Sequence, residues 1–386
     1  MFSTRIKNLS LTHFRCYPTL KLTFEGRIIT FTGPNGAGKT NILEALSFLN
    51  PGRGLRRTKL SQAISTFPMS LNAGIGASGW GISSHVCVQE GVCHVGTAFT
   101  KTPGEETEKR VVRVDGKDLS SHSELEKMLS IFWLTPAMDR LLGEGASHRR
   151  RLIDKFASSL NPEHSKHLYR YEYALRERMR LLREGRYDPL WVSVLEEKMA
   201  LEGVALTVAR QEMIDLLMTS MTAHQKDFPK AILSLEGELE ALLETHSALD
   251  VEEMFKKNLH DKRDQDRVSG SASMGAHVSD VYITHDAKNI PLGMCSTGEQ
   301  KVLLVSMILS HLRLHAVRRQ ETPILLFDEG LVHLDAHRRV ALFKEIEALD
   351  AQTFFTGTDP SAFSELRTKC QFFDVQEGYV TEIVKK

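Results

Sequence analysis

The sequence has few cysteines, no net charge and no long apolar run, and each of these features argues against one or more classes of protein. Five cysteines, scattered and without Cys-x-x-Cys spacing, argue against a disulfide framework or a zinc site and predict reduced thiols in the cytoplasm. No stretch reaches the length of a membrane-spanning helix, and the start MFSTRIKNLSLTHFR is too polar for a signal peptide. Because 49 basic residues balance 49 acidic ones, a nucleic-acid-binding surface would need a local concentration of positive charge.

A glycine-rich segment, GPNGAGKT at residues 33–40, lies between the strand-like run RIITF and the helix-like run NILEALSFL. Its glycines allow successive backbone N–H groups to point inward at a triphosphate, while Lys39 places a cation on the β- and γ-phosphates. The phosphates would then lie at a helix N-terminus, where backbone donors favour anions. The alternative is a glycine-rich turn that binds no ligand, but such a turn does not require a strand before it and a helix after it. The predicted ATP-binding residues are Gly33, Pro34, Asn35, Gly36, Ala37, Gly38, Lys39, Thr40 and Asn41.

A second segment, ETPILLFDEG at residues 321–330, supplies acidic residues after an apolar run. Residues 324–327 have the continuous apolar character of a buried parallel strand, and Asp328 follows at its carboxyl end. Thr40 and Asp328 are the predicted Mg²⁺ ligands, with Asp328 acting through water. Glu329 is the predicted catalytic base, since it could accept a proton from the water that attacks the γ-phosphate. The alternative is that Asp328 and Glu329 are only a solvated acidic pair after a core strand. The P-loop would then lack a carboxylate for its metal ion.

The pentapeptide STGEQ at residues 296–300 precedes the amphipathic run KVLLVSMILSHLRL. Ser296 is a good N-cap and Gly298 permits a close backbone approach, so this helix N-terminus is also suited to an anion. One chain cannot easily place two such termini on the same γ-phosphate. STGEQ resembles the signature motif of ABC-type ATPases, in which the second terminus comes from a partner subunit; the alternative is an ordinary capped helix. The candidate signature residues are Ser296, Thr297, Gly298, Glu299 and Gln300.

Several longer segments resemble one branch of these ATPases. GPNGAGKTNILEA resembles the P-loop pattern of SMC and RecF-type proteins, and LSLTHFRCYPTLKLTF resembles the start of RecF proteins. Further segments follow in the RecF order: GRGLRR, LTPAMDRLLGEGASHRRRLIDKF, GAHVSD, CSTGEQK and LVHLDAHRR. On these motifs the chain is identified as a member of the RecF family.

The resemblance implies an ATP- and Mg²⁺-dependent homodimer that binds double-stranded or gapped DNA. ATP bound by one subunit would be met by the signature residues of another, and Asp335 would correspond to the D-loop at their interface. Hydrolysis would reopen the dimer, so a weak DNA-stimulated ATPase would act as a conformational switch. RecR-like and RecO-like mediator proteins are the implied partners in recombinase loading during recombinational repair and replication, with no membrane partner.

The chain departs from the RecF pattern in three places. RecF proteins usually have Pro and Arg in the segment where this chain has Ala276 and Val278. The ABC-type switch histidine is absent from TFFTGTDP, where Thr356 and Thr358 offer hydroxyls that can orient water but carry no charge. We therefore expect slow hydrolysis. No clear glutamine fits the usual metal-contacting loop, and Asp139 or a backbone group is expected in that region.

Positive charge is concentrated in three segments of the sequence. RGLRRTK at residues 53–59 and HRRR at residues 148–151 are the first two. The third, RYEYALRERMRLLR at residues 170–183, fits DNA contact and a solvated helix face equally well. The candidate DNA-binding residues are Arg53, Arg56, Arg57, Arg149, Arg150 and Arg151.

The order of motifs predicts an α/β protein whose ATPase core is interrupted. Residues 1–135 carry the P-loop and short β-like segments with a hairpin at Asp115 and Gly116, residues 136–270 form a helical lobe, and residues 271–386 return to the core. In family terms, this is an ABC-type P-loop ATPase head with an antiparallel β subdomain and an inserted helical lobe that contains a short antiparallel helix pair. The polar, Gly- and Ser-rich residues 261–275 are expected to form a flexible loop.

Other P-loop classes share parts of this pattern. A transporter-like ABC ATPase has the P-loop, the signature and the acidic strand, but lacks the NILEA continuation and the long helical insertion. A metabolic P-loop kinase would not explain STGEQ. A defence ATPase of the same branch would have similar heads and a different output, and the FRCYP start and the CSTGEQ context count against it.

Overall fold

The computed structural model describes residues 2–50, 52–65, 78–101, 108–119, 124–125, 128–141, 145–185, 188–224, 227–331, 334–366 and 370–383. The chain forms two compact units, of which the first comprises residues 1–138 and 315–386 and the second comprises residues 139–314. None of the helices in these described ranges combines the length and the apolar content that a bilayer crossing requires.

The strands, in chain order, are β1 (Phe2–Ser3), β2 (Arg5–Ile6), β3 (Asn8–Phe14), β4 (Tyr17–Thr23), β5 (Ile28–Thr32), β6 (Gly79–Val88), β7 (Gly91–Thr100), β8 (Arg110–Val114), β9 (Lys117–Asp118), β10 (Ile131–Leu134), β11 (Ala231–Glu236), β12 (Asp280–His285), β13 (Ile290–Pro291), β14 (Glu321–Thr322), β15 (Ile324–Phe327), β16 (Thr353–Gly357), β17 (Cys370–Gln376) and β18 (Tyr379–Glu382). The α-helices are α1 (Lys39–Ser47), α2 (Pro136–Leu141), α3 (Ala146–Leu160), α4 (Pro162–Glu184), α5 (Pro189–His224), α6 (Glu238–Leu243), α7 (Ala248–Asp261), α8 (Arg263–Ser269), α9 (Thr297–Arg319) and α10 (Ala336–Leu349).

A six-stranded sheet forms the centre of the first unit, in the order β10-β15-β16-β5-β17-β18. All neighbours pair in parallel except β17 and β18. β5 and β15 are buried along their whole length, which explains their nearly continuous apolar sequences. Because the carboxyl ends of parallel strands meet at one edge, the P-loop after β5 lies at the same edge as Asp328, which follows β15, and Thr358, which follows β16.

The other large sheet of the first unit is antiparallel, as the sequence predicts. Its strand order is β4-β3-β6-β7-β8-β9, with β2 paired to β6. One face covers a core in which the rings of Phe14, Phe48 and Trp80 meet at centroid distances of 5.0 to 5.9 Å. The predicted hairpin is present, since Asp115 and Gly116 join β8 to β9 with φ angles of 49° and 79°.

The second unit is built on the long helices α4 and α5. They are antiparallel, because His167 near the start of α4 pairs with Glu202, whereas Arg178 near its end pairs with Glu196. The predicted helix pair is therefore present. One helix of the pair is longer than expected. α4 has 23 residues, whereas α5 has 36 residues and is about 54 Å long at 1.5 Å per residue.

A three-stranded sheet, in the order β11-β12-β13, also belongs to the second unit. β11 alternates buried and exposed residues and pairs antiparallel with β12 along its whole length. This pairing joins residues 280–285 to the unit that contains the helices. The division into units thus differs from the sequence-based one, which assigns residues 271–386 together to the ATPase head.

The expectation of a flexible loop at residues 261–275 is wrong for its first half. Arg263–Ser269 form α8, which ends at Gly270 with a φ of 77°. Asp266 is buried, accepts a 2.8 Å hydrogen bond from Arg178 and accepts another from the backbone N–H of Ser273. Within this segment Asp266 therefore serves a buried ion pair, whereas Asp264 and Arg267 remain exposed to water.

Candidate nucleotide-binding site

Two glycines, Gly33 and Gly38, fix the path of the P-loop because their neighbours leave no room for a side chain. A Cβ at Gly33, whose φ is 147°, would lie 2.1 Å from the carbonyl oxygen of Val375. A Cβ at Gly38, whose φ is 114°, would lie 2.5 Å from the Tyr17 hydroxyl and 2.7 Å from the Cys16 thiol. Both positions need the left-handed backbone that glycine adopts without strain. The loop then runs into α1, as the strand-loop-helix pattern predicts.

Lys39 lies inside the loop rather than in solvent. Its ammonium donates hydrogen bonds of 2.8 and 2.7 Å to the carbonyl oxygens of Gly33 and Pro34. Burial lowers the pKa of Lys39, and the carboxylates of Asp328 and Glu329 act in the opposite direction. The side chain is therefore a positioned cation at the place where the sequence predicts the phosphates.

Two hydroxyl groups converge on the carboxylate of Asp328, which is buried at the end of β15. Thr40 donates to its Oδ1 atom at 2.8 Å, and Thr356 donates to the same atom at 2.9 Å. The predicted Mg²⁺ ligands, Thr40 and Asp328, are therefore in contact across 288 positions of sequence. Hydroxyl and carboxylate oxygens fit Mg²⁺, which usually takes one or two protein oxygens and keeps water and phosphate as its other ligands. Elsewhere in the described residues, no group of three or more His, Cys, Asp and Glu side chains is placed to bind a metal.

Glu329 follows Asp328 with a backbone φ of 50°, the left-handed region that non-glycine residues rarely adopt. Its backbone N–H donates to the Thr356 hydroxyl at 2.9 Å. Its side chain is half-buried, in contrast to the buried Asp328. Of the two switch-region threonines, Thr356 is buried and Thr358 is exposed. Asp139 lies in α2, and its side chain falls outside the described part of the chain.

Arg15 is a site residue that the sequence analysis did not single out. It binds the buried carboxylate of Glu44 on α1 through two hydrogen bonds of 2.9 and 2.6 Å. It also donates to the Thr58 hydroxyl and to the Gln62 carbonyl oxygen. Arg15 thus ties the helix of the P-loop to residues 58–62. The FRCYP start of the sequence carried the signal, but only as a family resemblance.

The signature residues lie in the second unit, at the start of α9. The backbone N–H of Ser296 donates to the Glu299 carboxylate at 2.7 Å, and its hydroxyl accepts from the backbone N–H of Glu299 at 3.4 Å, which forms a capping box. The Ser296 hydroxyl also donates to the Glu299 carboxylate. Hydrogen bonds from the Lys288 ammonium and from the N–H and hydroxyl of Ser296 lower the pKa of Glu299 to about 2. Gln300 donates to the carbonyl oxygens of Leu292 and Cys295, whereas Ser296 and Thr297 are exposed.

Asp335, the candidate D-loop residue, caps another helix of the first unit. Its carboxylate accepts a 2.8 Å hydrogen bond from the backbone N–H of Arg338 at the start of α10. The position therefore has a structural role within one chain, independent of any role at an interface.

The six candidate DNA-binding arginines differ in their availability. Arg149 forms a two-point ion pair with Asp280 at 2.9 and 2.6 Å. Arg150 donates to the carbonyl oxygen of Ser279, and burial lowers its pKa. Arg56 donates to Asn41 of the P-loop helix at 3.1 Å. The exposed members are Arg53, Arg56, Arg57 and Arg151, and Val278 in the GAHVSD segment is also exposed.

Comparison with known proteins agrees with this geometry. The family model of the RecF/RecN/SMC N terminal domain matches residues 5–381. The chain is 41% identical over 379 residues to the DNA replication and repair protein RecF of Mesorhizobium japonicum, covering 98% of this chain and 97% of that protein. It is 42% identical over 378 residues to the RecF of Agrobacterium fabrum, covering 97% of this chain and 98% of that protein.

The fold is similar to that of a solved structure of the recombination mediator protein RecF-ATPrS in the RecFOR pathway. The TM-score is 0.84 with 22% sequence identity, and 99% of each chain is covered. These matches confirm the predicted fold class, an ATPase head of the RecF and SMC type. Since the family model spans nearly the whole chain and two relatives share more than 40% of its residues, the chain belongs to the RecF family of DNA replication and repair proteins.

Proposed function

We propose that this chain is an ATP-dependent DNA-binding switch, in which ATP joins two copies and hydrolysis separates them. The observation that carries the proposal is the convergence of the Thr40 and Thr356 hydroxyls on one oxygen of Asp328, directly beside the P-loop. The convergence supports the proposal because a carboxylate suited to a metal ion lies beside the proposed phosphate-binding loop, with Glu329 as the next residue of the chain. ATP hydrolysis uses a metal-binding carboxylate and a base near the phosphates.

Each residue of this site has a defined part in the proposed reaction. The backbone N–H groups of the P-loop and the ammonium of Lys39 bind the β- and γ-phosphates, while Thr40 and Asp328 would hold Mg²⁺. Bound Mg²⁺ supplies charge neutralisation on the phosphate oxygens. Glu329 accepts the proton of the attacking water. Thr358, exposed beyond the end of β16, offers a hydroxyl for the orientation of that water in place of a switch histidine.

A second copy of the chain supplies the other half of the site. Ser296 and Thr297 are exposed at the N-terminus of α9, where backbone donors and the helix dipole favour an anion. In the closed dimer these residues meet the γ-phosphate held by the other copy, and Asp335 lies at the interface. ATP shifts the equilibrium toward the dimer because it makes contacts on both sides only in the closed state.

DNA and mediator proteins are the proposed partners of the closed dimer. The exposed Arg53, Arg57 and Arg151 offer positive charge for phosphate contacts in double-stranded or gapped DNA. DNA that favours the closed state would stimulate a slow ATPase. The chain belongs to the RecF family and its fold is similar to that of a RecF of the RecFOR pathway. On this basis we propose that it has RecR-like and RecO-like partners and a role in recombinase loading.

Steady-state ATP hydrolysis tests the proposal. It is measured over a range of protein concentrations, with and without linear duplex DNA, for the wild-type chain and for Lys39→Ala. A composite site gives a specific activity that rises with protein concentration and rises further with DNA. Lys39→Ala loses hydrolysis under every condition, since the cation on the phosphates is gone.

Two results would contradict the proposal. Hydrolysis that is independent of protein concentration and of DNA indicates a monomeric ATPase with another output. Hydrolysis that survives in Lys39→Ala and copurifies with the chain indicates a nucleotide site other than the P-loop.

A further inference from the structure

Thr356 lies at the point where the metal-binding carboxylate and the backbone of the catalytic base meet. It is the second-last residue of β16, which pairs with β15, and only 1% of its surface is exposed. Its hydroxyl donates to Asp328 Oδ1 at 2.9 Å and accepts the backbone N–H of Glu329 at 2.9 Å. A continuous chain of hydrogen bonds therefore runs from Thr40 through Asp328 and Thr356 to the backbone of Glu329.

This chain of bonds holds Glu329 in an unfavourable conformation. A φ of 50° is sterically costly for a residue with a Cβ, so the surrounding structure must stabilise it. The hydrogen bond from the Glu329 N–H to Thr356 does so directly. On the other side, Gly330 packs against the ring of Phe327, where an added Cβ would lie 2.6 Å from a ring carbon. The turn after β15 is thus fixed at both ends, and with it the direction in which Glu329 leaves the strand.

The same bonds separate the roles of the two switch-region threonines. A hydroxyl has one proton to donate, and that of Thr356 is used on Asp328. Thr356, which is also only 1% exposed, therefore has no proton to donate to the attacking water, whereas Thr358 is exposed. Next to it, a Cβ at Gly357 would lie 2.8 Å from the ring of Phe363, so close packing fixes the end of the strand.

We propose that Thr356 is a positioning residue for ATP hydrolysis, which fixes the backbone of Glu329 relative to the Asp328 carboxylate. The buried oxygen of the Thr356 hydroxyl is hydrogen-bonded to both Asp328 and Glu329. It therefore sets the distance between the metal ligand and the catalytic base. The inference rests on the proposed ATPase function and assigns to this side chain a role within it.

The substitution Thr356→Val tests the inference, since it replaces the hydroxyl with a methyl group of similar size. The Glu329 N–H loses its partner, while Asp328 keeps the bond from Thr40. We expect kcat to fall about 10- to 100-fold, the range that small misplacements of a reacting group produce. KM and the Kd for ATP should change less than about twofold, because the P-loop contacts are untouched. Thr356→Ser keeps the hydroxyl and should restore most of kcat.

Thr353→Val is the matched control. Thr353 is fully buried on the same strand, and its hydroxyl donates to the carbonyl oxygen of Ala351 at 3.3 Å. This variant makes the same chemical change three residues away and should keep the wild-type kcat. Thermal unfolding of all variants shows which of them are folded, and if Thr356→Val is not, the comparison of Thr356→Ser with Thr356→Ala carries the test.

A double-variant cycle separates positioning from general destabilisation. If Thr356 acts through Glu329, then Thr356→Val should have no further effect on the residual rate of Glu329→Gln. Equal losses in both backgrounds would overturn the inference, as would an unchanged kcat in Thr356→Val or an equal loss in Thr353→Val. A wild-type chain whose hydrolysis does not depend on Glu329 would overturn the inference and the proposed function together. Dependence on Glu329 without dependence on Thr356 overturns the inference alone.

Discussion

Two buried cations, Lys39 and Arg178, are each held by several partners. Lys39 is bound by two carbonyl oxygens of its own loop. Arg178 is fully buried on α4 and binds Glu196 at 2.9 Å, Asp266 at 2.8 Å and the carbonyl oxygen of Leu259. Such multiple bonds are needed because removal of a charge from water costs more than a single ion pair returns. Sequence alone does not reveal them, since Arg178 stands in a run of arginines that otherwise resembles a solvated helix face.

The substitution Arg178→Met should therefore destabilise the protein. It leaves Asp266 as a buried carboxylate without its arginine, whereas Glu196 keeps Arg263. We expect a loss of about 3 to 5 kcal/mol in the free energy of unfolding, the usual cost of breaking a buried ion pair. Urea denaturation measures it.

Arg180→Met is the control for this change on the same helix. Arg180 is exposed, and of its partners Glu184 is exposed and Glu177 is partly exposed. The urea midpoint of this variant should stay close to that of the wild-type chain. Equal destabilisation by the two substitutions would mean that the helix itself, rather than the buried charge, is responsible.

At the scale of elements, the sequence predicts what local pattern determines and misses what distant pairing determines. The P-loop between β5 and α1, the apolar strand β15 and the hairpin at Asp115 and Gly116 follow from spacing, burial and turn chemistry. β11 has the alternating burial of a strand although the sequence-based division assigns it to a helical lobe, and β12, which begins 44 positions after its last residue, pairs with it. Likewise α8 is joined to α4 through Asp266, which pairs with the buried Arg178. Neither contact is visible in a short window of sequence.

Some contacts of the candidate site can likewise be predicted from the sequence, and others cannot. The contact between Thr40 and Asp328 follows from the rule that parallel strands end at one edge of a sheet, so it could be predicted. The pairing of Arg149 with Asp280 could not, because the two residues lie 131 positions apart in the sequence. The left-handed backbone of Glu329 and its bond to Thr356 are also set by the turn after β15 rather than by residue type.

The N-terminus of α9 gives an element-scale test, because its cap and its proposed contact with a phosphate make different demands on Ser296. Asn and Asp are both good N-caps, so Ser296→Asn and Ser296→Asp should both keep α9 folded. Only Asp adds a negative charge, which would face the γ-phosphate of the other copy. We expect Ser296→Asp to lose ATP-dependent dimerisation while one copy still binds ATP, and Ser296→Asn to retain most of it. Light scattering and fluorescent ATP binding measure the two properties. Equal behaviour of the two variants would support the interpretation of an ordinary capped helix.

At the scale of the whole molecule, ATP binding and ATP hydrolysis should have opposite effects on assembly. Glu329→Gln keeps the size of the side chain but cannot accept the proton of the attacking water, so ATP should bind and not be hydrolysed. We expect this variant to accumulate as an ATP-bound dimer in analytical ultracentrifugation with ATP and Mg²⁺, and to return to monomer when EDTA removes the metal. Lys39→Ala should remain monomeric under the same conditions because it lacks the phosphate contact. A monomeric Glu329→Gln that binds ATP with wild-type affinity would contradict the two-copy switch, because binding alone should then suffice to close it.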